Sequence, residues 1–191
     1  MKNVIVIGAG GSLAKYVINE LKTKADVHLT LFLRNKRRLT GIDTNSLDII
    51  EGDVMDYSVL KKAVEGKDIV YVNLAGDLEA MAKNIVKAMK ETGVQRIIAI
   101  SSIGIYETPL RPVLHPYRKL ADVIEASGLD YTILRPDWFT NADEVDYALT
   151  RKGEPEKGSA ISRKSIAAFT AEIIHASEKY SRENFGIAKP N

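Results

Sequence analysis

Three glycines, Gly8, Gly10 and Gly11, stand between an apolar run, Asn3–Ile7, and the start of a helical pattern at Ser12. The chemistry such a turn can do is anion binding. Glycine has no Cβ, so the backbone can bend sharply and come close to a ligand. The helix that follows aims free N–H groups and the positive end of its dipole at whatever lies in the turn. In Gly8-x-x-Gly11-x-x-Ala14 the small third residue lets the helix lie close on the strand. The stricter Gly-x-Gly-x-x-Gly spacing of dinucleotide folds is not met, because Leu13 occupies its last place. A tight strand-to-helix turn with no ligand is the alternative. Context favours a nucleotide: the cluster closes the first strand and leads into Leu13, Ala14, Val17, Ile18 and Leu21, one apolar helix face. Gly8, Gly10, Gly11, Ser12 and Leu13 are therefore expected around a pyrophosphate.

A basic cluster, Arg34-Asn35-Lys36-Arg37-Arg38, follows the second apolar run. In an open α/β sheet that position meets the adenosine ribose of a dinucleotide. A carboxylate there would bind a free 2′-hydroxyl and repel a 2′-phosphate, whereas a guanidinium can grip the phosphate with two parallel bonds. The expected cofactor is NADP, with NAD the lesser candidate, and Arg34 is the expected ligand. A solvated basic turn is the alternative. Beyond the third run, Asp53 can accept the adenine amino group and Val54 can cover the ring, although Asp53 would serve equally as a helix cap. Beyond the fourth, Asn73, Leu74, Ala75 and Gly76 leave room for ribose and nicotinamide. Trp138 and Phe139, just after Arg135-Pro136, are candidate walls of a substrate pocket, or else pack on the sheet edge.

These residues need a scaffold that brings strand ends together. Runs rich in Val and Ile recur at Asn3–Ile7, Val27–Leu33, Leu47–Glu51, Asp68–Asn73, Arg96–Ser101 and Tyr131–Leu134. Helical patterns fill the intervals at Ser12–Thr23, Tyr57–Val64, Leu78–Thr92 and Pro116–Ser127. Continuous apolar strands imply that helices cover both sheet faces. The expected fold is α/β: a single three-layer domain over 1–191 with a doubly wound parallel sheet of the Rossmann kind, in strand order 3-2-1-4-5-6. A last helix is expected over Arg163–Ser177 with Ser162 as its cap, and a short seventh strand at the sheet edge over Phe185–Ala188. Arg151–Gly158 reads as a loop, and a small substrate region is expected over about 137–160. Within it, Asp143, Glu144 and Asp146 fit a substrate loop or a solvated helix face.

Composition narrows the classes. A chain of 191 residues with 45% hydrophobic content can bury a full core. Lys and Arg number 27 against 25 Asp and Glu, so no overall field favours nucleic acid or an acidic membrane surface. There is no cysteine, which removes disulfides and thiol nucleophiles. His28, His115 and His175 lack ligand spacing, so no metal is expected. No apolar run approaches a membrane span, and the run after Lys2 is too short for a secretory signal. A cytoplasmic protein, monomer or homodimer, acting on a small molecule is the expectation.

Taken in order, several segments carry a family resemblance: Gly8-Ala9-Gly10-Gly11-Ser12-Leu13-Ala14, Arg34, Gly52-Asp53-Val54, Asn73-Leu74-Ala75-Gly76, Ser101-Ser102-Ile103-Gly104-Ile105-Tyr106, Ser127 through Pro136, and Ile161-Ser162-Arg163. The chain resembles an atypical short-chain dehydrogenase/reductase of the NAD(P)H-binding, NmrA-like type over nearly its whole length. The resemblance implies a serine after the fifth strand that orients substrate, and a Tyr-x-x-x-Lys whose phenol passes a proton while the lysine lowers its pKa and holds the ribose. Ser102 matches the serine and Lys119 the lysine. His115, not tyrosine, stands four residues before Lys119. His115 is one replacement, since imidazole titrates near neutrality, or else a loop histidine beside Pro116. Tyr117 or Tyr106 reaching in from a loop is another, and an acceptor protonated by water needs neither. Tyr57 and Lys61 have the spacing but sit on the wrong helix. The implied function is an NADPH-dependent reductase of a small carbonyl, quinone or flavin-like acceptor. The alternative is a regulatory protein that binds NADP(H) as a redox sensor, and a sugar-nucleotide epimerase is disfavoured by the short chain after the sixth strand.

Overall fold

The computed structural model describes residues Met1–Asn191. The first half alternates strand and helix: β1 (Lys2–Ile7), α1 (Ser12–Lys22), β2 (Val27–Leu33), β3 (Asp48–Glu51), α2 (Tyr57–Val64), β4 (Ile69–Val72), α3 (Leu78–Thr92) and β5 (Arg96–Ile100). The second half holds α4 (His115–Glu125), β6 (Asp130–Pro136), β7 (Phe139–Thr140), β8 (Ala148–Arg151), β9 (Ile161–Ser162), α5 (Arg163–His175) and β10 (Glu183–Ala188). Eight strands form one sheet in the order β3-β2-β1-β4-β5-β6-β10-β8, and β7 pairs with β9 in a separate short ribbon. β8 is the antiparallel member of the main sheet. This is the expected doubly wound α/β fold with its 3-2-1-4-5-6 order.

The unbroken apolar strands follow from burial on both sides. In β1, Val4 and Val6 enter a cluster of 27 buried residues, whereas Ile5 and Ile7 enter one of 25 on the opposite face. α1 and α5 cover the first face, and α2, α3 and α4 the second. The two halves of the core are thus nearly equal. Each helix docks through the residues its periodicity predicts, as with Leu13, Ala14, Val17, Ile18 and Leu21 on α1. Full burial of one such leucine contributes about 1.5–3 kcal/mol, so loss of this stripe would free α1 from the sheet.

Three expectations for the last third need correction. Phe185–Ala188 is not an edge: β10 runs parallel to β6 inside the sheet, and β8 covers its other side with Ile187 opposite Leu149. Arg151 accordingly belongs to a strand rather than to a loop. The acidic stretch is neither a helix nor part of the cleft wall described below. The Ser162 hydroxyl accepts the Ser165 N–H at 2.9 Å, capping α5, and donates to the Glu144 carbonyl at 2.8 Å. Asp143 pairs with Lys164 and Glu144 with Lys189, so the segment is pinned across the start of α5.

Candidate cofactor and substrate cleft

A cleft of about 680 Å³ opens at the carboxyl ends of the parallel strands, within the size range of small-molecule sites. Its floor is where the strand order reverses, between β1 and β4. There the loop after β1 meets the loop after β4. The Asn73 N–H donates to the Ile7 carbonyl at 3.0 Å. Gly8 has φ +88°, and a Cβ at that position would lie 2.0 Å from the Asn73 carbonyl oxygen. Part of the glycine requirement is therefore packing of one loop on the other. Next to this contact, α1 begins at Gly11 without a side-chain cap, whereas Asp56, Asp77 and Ser162 cap α2, α3 and α5. The Gly11 N–H donates to the Gly8 carbonyl at 3.0 Å, which leaves the N–H groups of Ser12 and Leu13, both in the cleft wall, without a side-chain cap, as an anion cradle requires.

At the β2 end, Arg34, Asn35 and Arg38 line the cleft. The Asn35 side chain accepts the Arg37 N–H at 2.9 Å and starts a tight turn over Lys36–Arg38. That turn swings Arg38 over the glycines, since a Cβ on Gly10 would lie 3.1 Å from the Arg38 Cβ. Lys36 pairs instead with Glu51. Asp53 and Val54 also line this end. Asp53 accepts the Met55 N–H at 2.9 Å, and Asp56, not Asp53, caps α2. Asn73, Leu74 and Ala75 are in the wall, but Gly76 is not.

The β5 and β6 end carries Ser101, Ser102, Ile103, Arg111, Val113, Leu114 and Tyr117, with Pro136 to Phe139 beside them. The Ile103 N–H donates to the Pro136 carbonyl at 3.1 Å and joins the two loops. The Ser101 hydroxyl donates to the Tyr117 carbonyl at 3.0 Å and fixes α4 against β5. Trp138 is 75% exposed at the mouth. Phe139 lines the cleft and also pairs with Ile161, with the Arg163 guanidinium 5.0 Å from its ring. Tyr117 is the one phenol in the wall. Lys119 and His115 are exposed and outside it. Two helical residues are about 200° apart around the axis, so Tyr117 and Lys119 diverge. Lys119 instead stands close enough to Glu79 to assist Lys83, the larger influence, in lowering that carboxyl. The structure thus brings Ser102 and Tyr117 to one cleft and leaves Lys119 and His115 apart from them.

Behind this end lies a buried polar network. Arg135, 2% exposed, donates to Asn184 at 2.9 Å and pairs with Glu156. Glu156 in turn accepts the Gly104 N–H at 2.8 Å, two residues from Ser102. Tyr106 sits here rather than in the cleft, its ring flanked by Arg118 at 4.8 Å, Arg135 at 5.2 Å and Lys152 at 4.8 Å. Burial pushes its phenol up, and Glu125 adds to the rise against the nearby cations. Tyr57 and Lys61 lie elsewhere, against Lys87 and Glu91 respectively. Arg38, Arg111 and Val113 had no distinctive pattern in the sequence. Arg38 was one charge among several in its turn, and the other two follow no apolar period.

A family model described as NAD(P)H-binding matches residues 8–177. The chain belongs to that family. It is an atypical short-chain dehydrogenase/reductase of the NmrA-like kind, with a reductase-like fold built to hold a nicotinamide cofactor. A Rossmann-fold NAD(P)-binding family protein from Shigella flexneri is 47% identical, with a TM-score of 0.91 over 100% of this chain and 95% of that one. A short-chain dehydrogenase/reductase from Veillonella parvula, solved in complex with NADP, is 28% identical, with a TM-score of 0.90 and the same coverage. An isoflavone reductase homolog A622-like protein of Nicotiana tabacum is 26% identical over 168 residues, or 80% of this chain and 52% of its own length. The chain spans about half the length of the curated relatives it matches. No helix of this family member is long and apolar enough to cross a membrane.

Proposed function

We propose that the protein is an NADPH-dependent oxidoreductase whose cleft holds the dinucleotide along its floor and a small, largely apolar acceptor at the β5 and β6 end. One observation carries this reading. A single cleft is continuous from the uncapped start of α1, through Arg34 and Arg38, to Ser102, Tyr117 and Trp138. The reduced nicotinamide supplies a hydride. The α1 N–H groups would hold the pyrophosphate and the two guanidinium groups the 2′-phosphate, while Asp53 and Val54 would meet the adenine. Ser102 would orient the acceptor, and Tyr117, the phenol at hand, would pass the proton where one is needed.

Calorimetry tests the cofactor. NADPH is expected to bind more tightly than NADH, and Arg34→Asp to reverse or abolish that preference. Equal loss for both dinucleotides would refute the role of Arg34, and no heat from either would refute the reading. The position of Lys119 and His115 outside the cleft favours one second reading, a protein that binds NADP(H) and reports the redox state to a partner. Mixing NADPH with quinones, aldehydes and flavins separates the two, because only an oxidoreductase consumes the cofactor.

A further inference from the structure

The β5 and β6 end of the cleft mixes apolar walls with the hydroxyls of Ser101, Ser102 and Tyr117, one carboxylate and one cation. Arg111 lies in the loop between β5 and α4 and lines the cleft beside the exposed Val113 and Trp138. Three arginines of the same half of the chain are engaged, Arg118 with Asp122 at 2.8 Å, Arg135 with Glu156 and Arg163 with Asn141 at 2.8 Å, and the free ones that share the cleft, Arg34 and Arg38, lie at its β2 end. The Arg111 guanidinium has no carboxylate within ion-pair reach. Asp137, the single carboxylate lining this end, has an oxygen occupied by the Trp138 backbone N–H at 2.6 Å. Trp138 and Val113 are 75% and 69% exposed, so two large apolar side chains remain uncovered at the same end of the cleft as the unpaired guanidinium. A flat indole face takes another ring by stacking, and a guanidinium takes a carboxylate, sulfonate or phosphate through paired N–H donors.

We propose that this end binds a planar aromatic acceptor bearing an anionic group, the ring against Trp138 and Val113 and the anion on Arg111. The proposal deepens the reductase reading and takes from it only that the dinucleotide lies at the other end. Arg111 is then a specificity residue: it discriminates charged from neutral rings without touching the cofactor. The alternative placement, Arg111 on a cofactor phosphate, predicts the opposite pattern and is an outcome of the test.

Trp138 is the only tryptophan in the chain and stands at this end, so its emission is the probe, and Arg111→Gln shows whether the quenching arises here. Protein with saturating NADP⁺ is titrated with two matched pairs, 1,4-naphthoquinone-2-sulfonate against menadione and FMN against riboflavin, with emission corrected for absorbance. Saturable quenching is expected, with the anion of at least one pair binding roughly tenfold tighter than its neutral partner at low salt, the scale of one charge-assisted contact. Arg111→Gln should erase that preference and leave the neutral compounds unchanged. Because Arg111 is exposed, high salt should also narrow the gap. Which pair discriminates tells a bicyclic sulfonate from a flavin phosphate. Equal affinities within both pairs, unsaturable quenching, or a preference that survives in Arg111→Gln would overturn the proposal. So would a loss of NADP⁺ affinity in that variant, measured by calorimetry. If the wild-type protein shows no dinucleotide heat, the cofactor reading fails, and the same titrations without NADP⁺ still judge Arg111.

Discussion

Replacing Gly8 by alanine separates two costs that glycine avoids in the cradle. The residue has φ +88°, a conformation that costs an L-residue about 1–2 kcal/mol. Its added Cβ would also lie 2.0 Å from the Asn73 carbonyl, and the obstructing atom is backbone, which cannot rotate aside. Forced overpacking of this kind costs about 1–3 kcal/mol. Together these give about 3 kcal/mol. Gly93, the residue that ends α3, is the control: it has φ +79°, and an added Cβ would meet nothing within 4 Å, so alanine there carries only the conformational cost. Both substitutions restrict the unfolded chain alike, so that contribution cancels in the comparison. Urea unfolding at constant m should give Gly8→Ala a stability loss greater than that of Gly93→Ala by about 1–3 kcal/mol. In calorimetric scans each kcal/mol corresponds to about 2–4 °C for a chain of this size. Gly8→Ala should also lose NADPH affinity, whereas Gly93→Ala should keep it. Equal destabilisation by the two variants would refute the claim that the β1 and β4 loops interlock at Gly8.

Other outcomes follow from the polar groups. Glu156→Ala strips the partner from a guanidinium that is 2% exposed, and loss of one member of a buried pair costs about 3–5 kcal/mol; chemical denaturation checks this, and a change below about 1 kcal/mol contradicts the burial argument. Tyr147 is held up to about 12 by burial first and by its hydrogen bond to Glu172 second. A phenol that ionises more easily in the unfolded chain lowers stability as pH rises from about 10 toward 12, so a plot of Tm against pH should fall there more steeply for wild type than for Tyr147→Phe. If an acceptor is found, Tyr117→Phe should lower kcat at unchanged NADPH affinity, and Lys119→Ala should leave NADPH affinity intact; steady-state kinetics and calorimetry distinguish them.

The strands and helices of the first half were legible because each is long, apolar and periodic. Val4 to Ile7 had to be buried on both sides, and helices were the only cover the pattern offered. The glycine turn, the basic cluster and Asp53-Val54 were legible for a related reason, since a parallel sheet places the residue after every strand on the same rim. β8 escaped notice because Ala148–Arg151 is a short edge strand with mostly exposed side chains, and such a strand needs no apolar alternation. The inner position of β10 was hidden as well, because strand order past β6 depends on pairing between residues far apart in the chain.

Sequence by itself determined the doubly wound fold and the rim on which the chemistry must sit, because periodicity and turn residues act locally. Tertiary structure decided which side chains meet. That Lys119 and Tyr117 point apart follows from their spacing on a helix, but which of the two enters the cleft wall was decided by how α4 docks on the sheet. Arg111 and Trp138 are far apart in sequence, yet the bond from Ile103 to Pro136 ties their two loops into one mouth. The docking of helices and loops is set by packing over the whole domain, and no short stretch of residues contains it.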